Sequence, residues 1–364
     1  MSDRRAERLE ALRRRLASDG LDGLVVVSLP NIRYLTGFSG SSGLLFASGG
    51  ATVLLTDFRY REQAPAEVGD LARVSTETGG AWERLLKLLP DLAGVHRVGY
   101  EAHVLTVRDA ERLARNGAKP WTFQPVADVV EALRAVKAPD EIAAIRAAGA
   151  VATRALEAAT VGVRAGQTEL EIAAALEGAL RRSGSEWYAF PTIVASGPRS
   201  ALPHARTSGR VVAPGDLLLV DFGAVVEGYC SDLTRTFVVG AEPTARQREI
   251  HEVVRRAQGA ALAGLRSGLT GRQGDALARD VIAQAGLGEA FGHSLGHGLG
   301  LEVHEAPRLA QTAEDPLPAS AVVTVEPGVY LEGWGGIRIE DDVILQTTGA
   351  ELLTEFPREL LRLG

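Results

Sequence analysis

Apolar and polar positions follow one another in two textures along this chain. Between residue 23 and about residue 130, short apolar runs such as GLVVVS (23–28) and ATVLLT (51–56) read as strands buried on both faces. Helical patterns near 58–67, 81–90 and 106–115 lie between such runs. This alternation predicts an α/β unit of about 125 residues. Ahead of it, Leu9, Leu12 and Leu16 recur at helical spacing and Gly20 ends that helix. The Gly- and Ser-rich stretch NIRYLTGFSGSSG (31–43) reads as a loop of turns.

The second texture begins near residue 128. The segment 128–159 carries a long 3.6-residue period, interrupted at Pro139 and Asp140, where a new helix starts. A helix over 168–184 follows, then strand-like runs at 189–196, 216–224 and 229–239. Helices at 244–264 and 270–285 and closing strands at 322–330 and 335–346 complete an α+β unit. The boundary falls near 125–138, dividing the chain into 1–130 and 131–364.

Composition narrows the partners. The 364 residues suffice for two domains, and a net charge of −7 gives no electrostatic case for nucleic acid. Cys230 is the one cysteine, so no disulfide forms within the chain and a reducing, cytoplasmic setting is expected. No apolar run reaches the roughly 18–20 residues that span a bilayer. The Arg-rich N-terminus lacks the apolar core of a secretory signal, and Asp3, Glu7 and Glu10 weigh against a transit peptide.

The chemistry lies in two candidate hairpins and a histidine-rich stretch. LVDFGAVVEGYCSD carries Asp221 and Asp232; with Val226 and Glu227 as its turn, the two face each other directly. Carboxylates so paired, with Cβ atoms about 4.5–5.5 Å apart, repel, and a cation between them offsets the cost. The turn EGWGG, centred on Gly333, likewise opposes Glu326 and Glu340. Arg338 shares the face of Glu340 and is placed to orient or neutralise a carboxylate. Oxygen donors with few nitrogens suit manganese, cobalt or zinc. Cys230 reads as a small buried hydrophobe.

HSLGHGLGLEVHE (293–305) is not a zinc-helix motif, because Ser294 stands where a glutamate would be needed and Gly296, Gly298 and Gly300 break a helix. His297, between two glycines, is expected to be the most accessible histidine and a metal ligand. Alternation sets Glu302 and His304 on one face, Val303 and Glu305 on the other. His204 lies in a polar loop, whereas His96, His103 and His251 belong to no constellation.

The ordered set Asp221, Asp232, His297, Glu326 and Glu340 resembles the dinuclear metallopeptidases of the pita-bread fold: methionine aminopeptidase, Xaa-Pro aminopeptidase and prolidase. The motifs VDFGA, GYCSDLTRT, ALPHA, HSLGHGLGLEVHE, TVEPGVY and IRIEDD carry the resemblance over about 138–355, and NIRYLTGF and TDFRY resemble the creatinase-like domain that precedes it. The resemblance implies two divalent ions, manganese first, with cobalt or zinc as alternatives, that lower the pKa of a shared water. It implies that Asp221 chelates one ion, that Asp232 and Glu340 bridge, and that His297 and Glu326 bind the other. Glu326 would shuttle a proton, His304 and His204 would contact substrate and oxyanion, His293 would wall a proline pocket, and Arg338 would fix carboxylate orientation.

Short proline-containing peptides as substrates and a homodimer follow from the same resemblance. The N-terminal domain, His293 and His204 favour the proline-specific branch over methionine aminopeptidase. Within that branch the compact length leans toward an aminopeptidase releasing the residue before proline. A prolidase confined to dipeptides is the alternative. A creatinase-like or peptide-binding member would lack metal ligands, and all five are present.

Overall fold

The computed structural model describes residues 3–76, 78–116 and 121–364. The chain forms two compact units, Met1–Arg134 and Ala135–Gly364.

In the first unit, α1 (Arg5–Ser18) turns Leu9, Leu12 and Leu16 inward, as their spacing predicts. There follow β1 (Gly23–Val26), α2 (Leu29–Thr36), β2 (Leu44–Ser48), β3 (Thr52–Leu55), α3 (Gln63–Val68) and β4 (Arg73–Ser75). Next come α4 (Ala81–Leu88), β5 (Arg97–Glu101), α5 (Val107–Asn116), β6 (Thr122–Val126) and α6 (Glu131–Arg134). The strands form one sheet in the order β4-β3-β2-β1-β5-β6. Only β2 runs antiparallel to its neighbours. The expected α/β unit is therefore present, but the expected loop at 31–43 opens as helix α2. Its start is held from a distance, since Glu101 on β5 accepts the N–H groups of Val27 and Ser28 and the Asn31 amide. A contact of that range leaves no local trace in sequence.

The second unit begins with α7 (Pro139–Thr160), α8 (Glu169–Arg182), β7 (Ile193–Ser196), β8 (Leu217–Phe222), β9 (Val225–Val226), β10 (Tyr229–Cys230) and β11 (Leu233–Val239). It continues with α9 (Ala245–Gly264), α10 (Gly271–Gln284), β12 (Gly296–Gly298), β13 (Glu305–Leu309) and β14 (Val322–Val325). The last strands are β15 (Gly328–Leu331), β16 (Gly335–Arg338), β17 (Asp341–Leu345), β18 (Ala350–Leu352) and β19 (Arg362–Leu363). Helix starts fall where the sequence puts them. Pro139 sits in the first turn of α7, and Thr168, Thr244 and Thr270 each accept the N–H three residues on.

Two sheets carry this unit, β19-β11-β8-β7 and β13-β12-β14-β17-β18, with β9–β10 and β15–β16 as separate two-stranded ribbons. Ala148, Ala152 and Leu156 of α7 and Leu176 of α8 pack with Leu218, Val220 and Phe237 of the first sheet. Val254 and Ala257 of α9 and Ile282 of α10 pack with Val323, Val325 and Val343 of the second. Among the described residues, no helix is long and apolar enough to cross a membrane.

Candidate metal centre

Asp232, Glu326 and Glu340 stand where strands stop pairing, whereas Asp221 is paired within β8. In the first hairpin Val226 pairs with Tyr229, and Asp221 pairs with Thr234. The turn is Glu227-Gly228, both at positive φ (50° and 77°), rather than Val226-Glu227. That is the twist-matched geometry of a two-residue hairpin. The register therefore differs by two residues from the expected one, which preserves the face but makes Asp232 a diagonal neighbour of Asp221. The run 229–239 is also not continuous, because it breaks at Ser231 and Asp232.

In the second hairpin Gly328 pairs with Arg338 and Val325 with Asp341. This is the register expected for a loop centred on Gly333. Glu326 and Glu340 occupy the gap between those two ladders. Pro327 has no N–H to continue the first, and Glu340 bridges instead to Thr234, donating its N–H to Thr234 O at 3.1 Å. The chain changes sheets at these carboxylates.

His297 comes from β12, between β13 and β14. Its flanking glycines reflect close strands: a Cβ at Gly296 would lie 2.0 Å from Thr324 O, and one at Gly298 would lie 2.2 Å from Ala306 O. This enclosure reverses the accessibility expected from sequence. The His297 side chain is 14% exposed, while His304 and His204 reach solvent. Nδ1–H of His297 donates to Gly298 O at 3.0 Å, which aims Nε2 at Glu326 Oε1 (3.4 Å) and Asp232 Oδ2 (3.9 Å). Burial, with the His304 charge beside it, lowers the His297 pKa to about 4, so the ring is neutral and its lone pair available.

Donor atoms of Asp232, His297 and Glu340 all lie within 4.8 Å of one another. Glu326 adjoins this group through His297. Asp221 stands next to it with Oδ2 held by Arg338, and Oδ1 of both Asp221 and Asp232 is buried without a hydrogen-bond partner. Burial, then the charges of Glu340, Asp221, Asp342 and Glu326, pushes the Asp232 carboxyl well above the usual range. Burial, then Glu326 and Asp221, does the same to Glu340. Burial raises Glu326 to about 8 despite the opposing Arg338 charge. Crowded acids with orphaned oxygens and a neutral imidazole fit divalent cations, which turn mutual repulsion into shared coordination.

Arg338 anchors the other side. It donates to Asp221 Oδ2 (2.5 Å), Thr234 Oγ1 (3.1 Å) and the Tyr330 hydroxyl (2.6 Å). Tyr330 O–H in turn donates to His293 Nε2 at 3.0 Å, while His293 Nδ1–H donates to Ser294 O at 2.8 Å. The His293 ring stands edge-on to Phe291 and tilted against Tyr330, 5.0 and 5.5 Å between centroids. Sequence reasoning missed Tyr330. It lies four residues after Glu326 in TVEPGVY, but a tyrosine in a strand reads first as packing. Thr234, whose hydroxyl binds Glu340 Oε2 at 2.5 Å, was missed for the same reason.

His304 lies across His297, 4.3 Å between ring centroids. Burial lowers its pKa, followed by the nearby charges of His204 and Arg308. The charge of the sequence-distant His204 bears on His293 as well as on His304. His103 pairs with Glu131 in the first unit and His251 is buried in α9.

Comparisons with known proteins agree with this arrangement. Residues 143–347 match the model of metallopeptidase family M24, and residues 8–136 match the creatinase/prolidase N-terminal domain. A solved structure described as Xaa-Pro dipeptidase from Bacillus anthracis is 40% identical, with a TM-score of 0.94, covering 99% of this chain and 100% of that one. One described as X-Pro aminopeptidase from Thermotoga maritima is 39% identical, with a TM-score of 0.91, covering 98% and 99%. An Xaa-Pro dipeptidase of Pyrococcus horikoshii is 37% identical over 94% of this chain and 95% of that protein. A creatinase-like α/β domain followed by a pita-bread catalytic domain, as the motifs implied, makes this chain a member of metallopeptidase family M24.

Proposed function

We propose that the chain is a metal-dependent Xaa-Pro dipeptidase. The observation that carries the reading is the Asp232–His297–Glu340 donor group, flanked by Asp221 and Glu326, with the His304 ring against His297 and His293 Nδ1 3.9 Å from Glu326. Two divalent ions, manganese first, held by those five ligands would supply Lewis acidity and lower the pKa of a water between them. Glu326 takes the attacking water's proton and passes it to the proline nitrogen, which leaves as a secondary amine. His304 and His204 donate toward the oxyanion. His293, held by the Tyr330 hydroxyl, offers a ring wall to the proline. Arg338 orients Asp221 and, through Tyr330, His293.

The dipeptide reading replaces the aminopeptidase lean. The Xaa-Pro dipeptidases among the similar proteins support it, and so does one cation beside the donor group. A dipeptide brings a free carboxylate one residue from the scissile bond, which calls for a cation there. Arg308 is exposed, pairs with His297 across β12 and β13, and its charge bears on both His297 and His304. The similar X-Pro aminopeptidase keeps the longer-peptide reading as the second one. A homodimer in the cytoplasm goes with either reading by family resemblance, checked by light scattering of the purified protein and by fractionation.

The test is hydrolysis of Gly-Pro against Gly-Pro-Gly by metal-stripped protein, before and after manganese is added. Metal-dependent cleavage favouring the dipeptide supports the proposal. The opposite preference makes the chain an aminopeptidase, and silence on both overturns the reading.

A further inference from the structure

Lys137 precedes α7 and Glu305 opens β13. Lys137 Nζ lies 3.0 Å from Glu305 Oε2, and the two side chains are 1% and 5% exposed. Buried ion pairs lose hydration that their attraction scarcely repays, so their best-supported use is to fix geometry rather than add stability.

The geometry here is that of the loop 299–305. Glu305 Oε1 accepts the Glu302 N–H at 3.0 Å, closing the loop on itself. Gly300 lies so near that a Cβ on it would stand 2.9 Å from both carboxylate oxygens. Gly300 O accepts the Cys230 N–H at 2.7 Å, tying the loop to the hairpin that leads into Asp232. Leu299 and Leu301 pack with Ile145 and Ile142 of α7. His304 rides between these anchors, turned outward against His297, while Glu305 is turned inward.

We propose that the Lys137–Glu305 pair is a positioning device for His304. It holds the loop so that His304 stands against His297, and neither residue of the pair touches substrate. The catalytic consequence rests on the peptidase reading; the geometric role does not.

The experiment uses the full chain and Lys137→Met, which keeps the stem and removes the charge. In zinc-loaded or metal-free protein, the nuclear Overhauser contact between the His297 and His304 rings, assigned with His304→Ala, should weaken or vanish in Lys137→Met. With manganese, kcat on Gly-Pro should fall about tenfold or more, KM and metal content staying within about twofold. In a His304→Ala background the same substitution should change kcat by less than about twofold. An intact ring contact in Lys137→Met, or an equal loss of kcat in both backgrounds, overturns the proposal. If Lys137→Met does not fold, Glu305→Gln, which still accepts the Glu302 N–H, carries the same measurements. If the unaltered protein cleaves no Xaa-Pro peptide, the peptidase reading fails and the ring contact alone decides the positioning role.

Discussion

Arg338 and Asp221, 117 residues apart, are joined by a charge-assisted hydrogen bond of 2.5 Å, and the same guanidinium holds the Tyr330 hydroxyl at 2.6 Å. One buried cation thus orients a candidate ligand on one side and His293 on the other. Tyr330→Phe cuts this chain at its middle without touching a ligand. Turnover should fall about tenfold to a hundredfold, as for other groups that orient metal ligands, while bound metal stays at the wild-type ratio. Steady-state kinetics beside elemental analysis would show it; loss of metal would mean Tyr330 supports the ligands themselves.

Asp232 stands among like charges from Glu340, Asp221, Asp342 and Glu326. Asp232→Asn should abolish manganese-dependent turnover and yet raise the melting temperature of chelator-treated protein by about 2–4 °C for each kcal/mol of repulsion relieved. Calorimetry with and without chelator separates the two effects. Near-normal turnover at saturating manganese would rule out Asp232 as a ligand.

The raised carboxyls also set a pH dependence. Without a cation, Glu326 titrates near 8 in the folded chain, and Asp232 and Glu340 are raised as well. Between the ordinary carboxylate range and pH 8 the folded state binds more protons than the unfolded one. The stability these groups contribute is complete below about pH 4, the ordinary carboxylate range, and is lost as pH rises through 8. Metal-stripped protein should therefore melt lower at pH 8 than at pH 6. Metal affinity should move the other way, rising with pH as protons are displaced. Melting curves and competition titrations at both pH values check the opposite signs.

His304 and His297 are in ring contact but are assigned different work. His304→Ala should lower kcat about a hundredfold or more and leave metal content nearly unchanged. His297→Ala should lose metal. Metal-free His304→Ala protein would make His304 a ligand.

Arg308 should matter only to substrates with a carboxylate on the proline. Arg308→Ala is expected to raise KM for Gly-Pro about tenfold or more and to leave Gly-Pro-Gly little changed, the difference of one charge-assisted contact. Equal effects on both peptides would remove Arg308 from recognition.

Much of the site is legible in local pattern. The period of two places Asp221 with Asp232, and Glu326 with Glu340, on shared faces, and a hairpin slip of two residues leaves that parity intact. Helix starts at Pro139, Thr168, Thr244 and Thr270 are equally local, because a cap is made within one turn. By contrast, α2 depends on Glu101 from another strand, and the order of accessibility among the histidines depends on which strands flank β12.

By itself, then, the sequence determined the residue types, their order and their parity, since side-chain direction alternates along any strand whatever it packs against. Tertiary structure alone decided where the strands break at Asp232 and Glu340, how Arg338 reaches Asp221, and why Lys137 meets Glu305. Those are encounters between segments about a hundred or more residues apart, fixed by how two sheets and their helices pack together, and no window along the chain contains both partners.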